Sequence, residues 1–437
     1  MYPPSATGNL ETSTPLCDRF LSRQGRRLYF PKGIVAQARE AGEKAVRFNA
    51  TAGVARQGGR PFIAKSLAEL TPSLAAAQIV DYAPTGGDPA LRKLWKQALE
   101  EKNPTLRGKL YSLPLVTAGI THGFSMSADL FIDEHDSVLI PAPAWENYDL
   151  ILSGRRTARV AYYPVFNEKN GFNCEGLRDA IGRTGTEEKL GLVLNFPHNP
   201  TGYSLAETEA NELVKLLAET AGSGRRLVVI LDDAYFPLFY EDTLLKESLF
   251  ARLVDLHENL LAVKLDGATK EYCAWGLRIG FLTLGGKMPA APEYDALEEK
   301  LLAAVRTSVS SACRLSMSLL VRLLQNPEHK SEFAAFHAML AARYRKVKAI
   351  LAEAPPGELN FLSFNSGYFL TFHTGKVDAE TLRRTLLDRH DIGTVALSPS
   401  LLRVTYASVD DHELPELFQT LFAEAARISA HTPCSRR

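Results

Sequence analysis

The chain has little that would tie it to a polymer, a membrane or a metal. Its 50 lysines and arginines are matched by 50 aspartates and glutamates in 437 residues, and no run of either sign stands out. A nucleic-acid footprint or a basic membrane-surface patch is therefore not expected. No stretch nears the ~18 consecutive apolar residues of a bilayer-spanning helix. The opening MYPPSATGNLETSTP has neither the basic n-region nor the apolar h-region of a secretory signal, so a soluble, cytoplasmic protein is expected. The five cysteines, Cys17, Cys174, Cys273, Cys313 and Cys434, are scattered and never spaced C-x-x-C. That suits free thiols better than a disulfide framework or a zinc site. The ten histidines form no H-E-x-x-H or comparable pair, and no metal is expected. Internal repeats and low-complexity tracts are also missing. What remains is a globular composition, 46% hydrophobic, long enough for two or three lobes. Its expected partner is a small molecule or a second copy of itself.

Pro3, Pro4, Ser5, Thr7 and Gly8 suggest a loose arm. From about residue 110 the pattern becomes short apolar runs bounded by turn residues and separated by helical stretches. The runs cover 115–117, 137–141, 190–196, 227–231, 260–265 and 278–284. Alternating with helices, they predict strands of a mostly parallel sheet buried on both faces, an α/β core. Ser204 followed by Glu207 reads as a capping box opening a helix with Leu213, Leu216 and Leu217 on its apolar face. Long helices are expected over 294–324, broken midway, and over 332–353, ended by Pro355, Pro356 and Gly357. The remainder, with FLSFNSGYFLTF, VTYAS and a helix near 414–428, reads as a smaller α+β lobe.

Polar residues follow three successive apolar runs. Asn199 in NFPHNPTG follows 190–196, Asp232 and Tyr235 in LDDAYF follow 227–231, and Lys270 in DGATKEYCAWGLRIG follows 260–265. The carboxyl ends of strands are where open α/β sheets build ligand crevices. A lysine partly desolvated there loses preference for its charged form and can act as a nucleophile that forms a Schiff base. Each motif alone is ordinary turn chemistry; their order gives the set its meaning.

With YAPTGGDPALR, VTAGITHGF, LIPAPAWENY, LNFPHNPTGY, LDDAYF, DGATKEYCAWGLRIGF and LLRVTYAS, the chain resembles the aspartate aminotransferase superfamily over about residues 48–422. These are fold-type I, class I/II enzymes using pyridoxal 5′-phosphate (PLP), and the chain is most similar to a bacterial branch bearing DGATKE. The resemblance implies a seven-stranded, mostly parallel sheet flanked by helices, plus a smaller α+β domain. It places an N-terminal arm with part of the small domain at 1–75, a large PLP-binding domain at 76–315 and a C-terminal small domain at 316–437. It also implies an aminotransferase that moves an amino group between an amino acid and a 2-oxo acid through a Lys270 Schiff base and a quinonoid. Asp232 would face the pyridine nitrogen, Tyr235 and Asn199 the ring hydroxyl, and Trp145 the ring face. Gly119, Ile120 and Thr121, just before a helical stretch at 123–131, would hold the phosphate with Arg278. Tyr82 and Ser310 would reach that phosphate from a neighbouring subunit, which makes the unit a homodimer with shared sites. Arg403 would clamp the substrate carboxylate as a planar fork. Arg306 would meet a distal acidic group or form a structural ion pair. The strip 48–53 would line the substrate mouth.

Some positions depart from the family pattern. Gly267 stands where many relatives have a phosphate-binding serine, and Glu271 puts a carboxylate next to Lys270. His198, His122 and Cys273 lie close to the motifs without an assigned role. These departures, with the unmatched arm, leave open an alternative on the same fold: PLP-dependent β/γ-elimination, replacement or C–C bond formation. A catalytically silent binding protein fits poorly with an intact Lys270, Asp232, Tyr235 and Arg403.

Overall fold

The computed structural model describes residue 24 and residues 33–431, apart from 52, 71–73, 186–187, 288–290 and 355–356. The expected loose arm, Cys17, Cys434 and the Pro355–Pro356 stop lie outside the described residues.

The apolar runs become a seven-stranded sheet. Its strands are β1 (Leu115–Thr117), β2 (Ser137–Ala142), β3 (Arg159–Pro164), β4 (Lys189–Asn195), β5 (Arg226–Asp232), β6 (Leu260–Gly267) and β7 (Gly280–Gly286), in the order β1-β7-β6-β5-β4-β2-β3. All pairings are parallel except those of β7, which runs antiparallel to both neighbours. β1, β2 and β7 are buried along their whole length and β4, β5 and β6 at all but one position each, which is why these strands read as continuous apolar runs. β3 was not expected: at the edge of the sheet its first four residues alternate between exposed and partly buried, and Tyr163 alone is buried.

Helices cover both faces. Those that matter for the site are α1 (Pro89–Lys102), α2 (Ile120–Phe131), α3 (Glu207–Gly222), α4 (Ala291–Ser308), α5 (Arg314–Gln325), α6 (His329–Glu353) and α7 (Leu414–His431). Leu213, Leu216 and Leu217 of α3 pack on one face against Leu192, Leu194 and Leu231. Phe124 of α2 and Leu301 and Val305 of α4 pack on the other, against Ile140, Val193 and Val263. The expected long helix over 294–324 is two helices, broken at 309–313, where Ser310 has φ 66°.

The expected capping box is corrected. α3 begins at Glu207, its N-cap is Ala206, and Glu209 is the residue that reaches back to the Ala206 N–H at 2.8 Å. Ser204 is occupied elsewhere: its N–H and carbonyl bond the Asn365 side chain at 2.7 and 2.9 Å, and its hydroxyl pairs with Ser366 at 2.9 Å.

The smaller lobe is a four-stranded antiparallel sheet in the order Asn360–Phe361, Phe369–His373, Leu401–Thr405, Val395–Ser398. Its core joins Phe372, Leu402 and Val404 to Phe418 and Leu421 of α7 and to Tyr344 and Val347 of α6. Farther up α6, Phe336 and Leu340 pack with Tyr235 and Tyr368, so one helix touches both lobes. Phe48 and Asn49 pair in parallel with Ile392 and Gly393, which brings the N-terminal strip to the seam.

Candidate active site

β4, β5 and β6 are consecutive neighbours in the sheet, so the three predicted polar groups emerge side by side at one edge. Asp232 is the last residue of β5, and Lys270 lies in the single turn Ala268–Glu271 directly after β6. Asn199 follows β4. Asn195 braces two of them: its amide donates to the Asp232 carbonyl at 2.7 Å, and its Oδ1 accepts the Asn199 N–H at 2.8 Å.

The Lys270 amine donates to the Gly53 carbonyl at 2.6 Å and lies 5.2 Å from the centre of the Tyr235 ring. A methyl group built on Gly53 would sit 3.1 Å from both Lys270 Nζ and Tyr235 Oη. The strip thus covers amine and phenol so closely that only glycine fits without displacement. Burial, then the positive charges of Arg403 and Arg278, lower the Lys270 pKa to about 7. Burial also raises the Tyr235 phenol, which stays a protonated donor.

Asp232 is buried. Its Oδ2 accepts the Tyr148 hydroxyl at 2.6 Å, and Oδ1 accepts the Ala234 N–H at 3.1 Å. Burial raises its pKa to about 6 despite these two bonds. Tyr148 escaped the sequence reading, although it stands three residues after Trp145, close to one helical turn away. Trp145 is half-buried and meets the Tyr148 ring edge-to-face, with centroids 5.5 Å apart and planes at 87°.

Arg403, in the strand Leu401–Thr405, is 3% exposed. It donates to Asn199 Oδ1 at 3.1 Å and to the Thr51 carbonyl at 2.9 Å, and lies 4.5 Å from the centre of the Phe369 ring. Its Nε has no hydrogen-bond partner among the described residues. A buried guanidinium with a spare donor is suited to a carboxylate.

The start of the helix after Gly119 is also corrected. The helix starts at Ile120 rather than Gly123, so Gly119 (φ 84°) is its N-cap, and Ile120 and Thr121 supply first-turn N–H groups with no intrahelical partner. A methyl on Gly119 would lie 2.6 Å from Arg278 Nη2, which puts that exposed guanidinium over the turn. His122 accepts the Ala118 N–H on Nδ1 at 3.1 Å and meets Ser308 Oγ at 2.9 Å through Nε2, tying the turn to α4.

The departures acquire structural reasons. A methyl on Gly267 would come within 2.7 Å of the Ile279 carbonyl, so the approach of β7 leaves no room for serine. Both Glu271 oxygens accept from Lys102 Nζ at 2.8 Å. His198 is buried, bonds Thr201 Oγ1 at 2.7 Å and is lowered to about 3 by burial, the signature of a neutral packing residue. The Cys273 thiol is buried and pushed up, so it is a poor nucleophile.

Three predicted residues stand apart. Tyr82 is 96% exposed. Arg306 is exposed and donates to Ser310 Oγ at 2.7 Å. No hydrogen bond among the described residues joins any of the three to Lys270.

Residues 49–421 match the model of the family described as aminotransferase class I and II. The aspartate aminotransferase of Pyrococcus abyssi is 29% identical over 206 residues, covering 47% of this chain and 49% of that protein. The aspartate aminotransferase of Bacillus sp. strain YM-2 is 25% identical over 342 residues, 75% of this chain and 79% of that protein. The match thus spans about half the length of the first relative and most of the second. Among solved structures, an aminotransferase from Anaerococcus prevotii superposes with a TM-score of 0.83 at 21% identity, covering 93% of this chain and 99% of that one. A mutant of Thermus thermophilus aspartate aminotransferase gives a TM-score of 0.71 at 21% identity over the same shares. At such identities the superpositions speak for the fold alone. Among the described residues no helix is long and apolar enough to cross a membrane, and no group of three or more histidines, cysteines or carboxylates could hold a metal.

Proposed function

From the premise that the chain belongs to the aminotransferase class I and II family, whose members are PLP-dependent transferases, we propose that it moves an amino group between an amino acid and a 2-oxo acid in the cytoplasm. The observation that carries this reading is the meeting of a lysine amine lowered to about 7 with a buried arginine whose Nε lacks a partner among the described residues. The two groups share one seam under the Gly53 strip.

The donor set fits PLP. The Gly119 turn leaves space only for backbone, Arg278 lies above it, and unpaired first-turn N–H groups suit a phosphate. Bound there, PLP supplies an electron sink that makes the amino acid's Cα–H acidic. Lys270 would hold the cofactor's aldehyde carbon and, with its amine free, would take up and return a proton at the substrate Cα; a pKa near 7 suits both directions of transfer. Asp232, fixed by Tyr148 and Ala234, would hold the ring nitrogen and favour its cationic form. Tyr235 and Asn199 would donate to the ring hydroxyl, and Trp145 would hold the ring face. Arg403 grips the α-carboxylate, and Phe369 beneath it excludes water. Tyr82, Ser310 and Arg306 act in the site of a second copy, in a homodimer. The two departures that motivated elimination or C–C bond formation have packing and ion-pair explanations, so they no longer favour that alternative.

The test is to load the purified chain with PLP, reduce it with borohydride, locate the adduct by peptide mass spectrometry, and screen amino acids for conversion to the pyridoxamine form. An adduct on Lys270 and at least one converting donor are expected. A chain that binds PLP yet converts no donor would overturn transamination.

A further inference from the structure

A second set of charges lies behind the site. Leu265 is the register partner of Asp232, and side chains alternate along a strand, so Lys264 and Asp266 of β6 point to the opposite face of the sheet from Asp232. Lys264 is fully buried. Its Nζ bonds the Asp233 carboxylate and lies 3.2 Å from Asp266 Oδ2. Asp233 also accepts from Ser248 Oγ at 2.6 Å, and Asp266 Oδ1 from the Trp95 indole at 3.1 Å. Next to it Lys102, at the end of α1, holds Glu271 and lies 5.0 Å from the centre of the Trp95 ring. Lys264 and Lys102 lie 5.1 and 5.9 Å from the centre of the same Phe236 ring.

Two features separate this network from ordinary packing. A fully buried ammonium is costly to desolvate unless its partners are fixed, and an apolar residue would fill a strand interior at no such cost. The network also grips the residues that directly follow the two central ones in sequence: Asp233 after Asp232, and Glu271 after Lys270. We infer that this buried network sets the position and charge of Asp232 and Lys270, with Lys264 and Lys102 as its positioning residues. Its bearing on catalysis rests on the proposed role of Lys270.

Formally, Lys264, Asp233 and Asp266 carry one net negative charge, one ammonium against two carboxylates, while Lys102 and Glu271 cancel. Asp266→Asn removes that charge, keeps the Lys264–Asp233 bond and leaves an oxygen for Trp95. Lys102→Met leaves Glu271 without its cation. The groups that face Lys270 itself, namely Arg403, Arg278, Asp232 and Cys273 with the Tyr235 and Tyr368 rings, are left in place by both changes.

The experiment is competitive acetylation of Lys270 across pH in the cofactor-free full chain, read by peptide mass spectrometry, with thermal unfolding and PLP affinity measured alongside. The labelling midpoint should fall in Asp266→Asn and rise in Lys102→Met, each by on the order of half a pH unit. Lys102→Arg should restore it. Asp233→Asn removes the same charge from the other carboxylate and should also lower the midpoint, which keeps the test open if Asp266→Asn fails to fold. General loosening would admit water and raise the midpoint in every variant. Midpoints that all rise, or that stay at the wild-type value while only thermal stability changes, would overturn the inference. Failure of the functional reading looks different: a wild-type chain with no PLP adduct on Lys270, whatever the free amine's midpoint.

Discussion

Asp232 shows how a single residue can be held in a state its surroundings disfavour. Its folded pKa, about 6, lies above the ordinary 3.8. Between those values the native chain holds a proton that the unfolded chain has lost, so stability falls as pH rises through the window. Asp232→Asn is expected to stabilise the cofactor-free chain at pH 7.5 by on the order of 2 kcal/mol. That gain should vanish near pH 4, and conversion of amino-acid donors should collapse; chemical denaturation at the two pH values, with a donor assay, checks both. Lys270 has the opposite sign. Its folded value of about 7 lies below 10.5, so the unfolded chain holds the extra proton and stability rises with pH across that window. The rate at which PLP forms a reducible adduct on Lys270 should therefore climb with pH around a midpoint near 7, followed by stopped-flow absorbance. A midpoint near 10 would contradict the described burial. Gly53→Ala, which puts a methyl 3.1 Å from both the amine and the Tyr235 hydroxyl, should lower kcat by roughly tenfold or more, the effect of misplacing reacting groups by a fraction of an ångström. Steady-state kinetics with the best donor decides it.

At the scale of elements, the strand ends were the most legible feature. Buried runs in β4, β5 and β6 are hard to read otherwise, and the polar residue after each run marks the edge. Boundaries were less legible wherever a side chain had a distant partner. Ser204 has the residue type and spacing of a cap, but Asn365 and Ser366, some 160 positions away (161 and 162), engage it, and no local pattern announces them. α3 takes its N-terminal bond from Glu209, which also accepts from the Tyr203 hydroxyl and the Phe172 N–H. Glu209→Ala should therefore cost about 1–2 kcal/mol, whereas Glu207→Ala, whose exposed carboxylate pairs with Arg252, should cost under about 1 kcal/mol. Urea unfolding of the two variants tests the order. Tyr148 was missed for a similar reason: its value comes from a carboxylate 84 residues later.

For the molecule as a whole, Arg343 of α6 ties the N-terminal segment to the smaller lobe. Only 2% exposed, it bonds Asp410 and Asp411 at 2.9 and 2.8 Å and the carbonyls of Arg56 and Ala407 at 2.7 Å each. It thereby links the backbone at Arg56, α6 and the turn after the Arg403 strand. Arg343→Met leaves those partners unmet, and should cost about 3–5 kcal/mol and weaken substrate binding through Arg403; calorimetry and KM measure the two effects. One chain's sequence does not reveal where Tyr82, Arg306 and Ser310 act: Tyr82 is 96% exposed, and Arg306 bonds Ser310.

The hydrogen bond from the Lys270 amine to the Gly53 carbonyl has one more consequence. If the amine is handed to a ligand, as proposed, its bond to that peptide oxygen is given up, so ligand uptake and strip release would be two halves of one exchange. Amide deuteration along residues 48–56 ought to quicken when the chain is loaded, the reverse of the usual tightening on ligand capture.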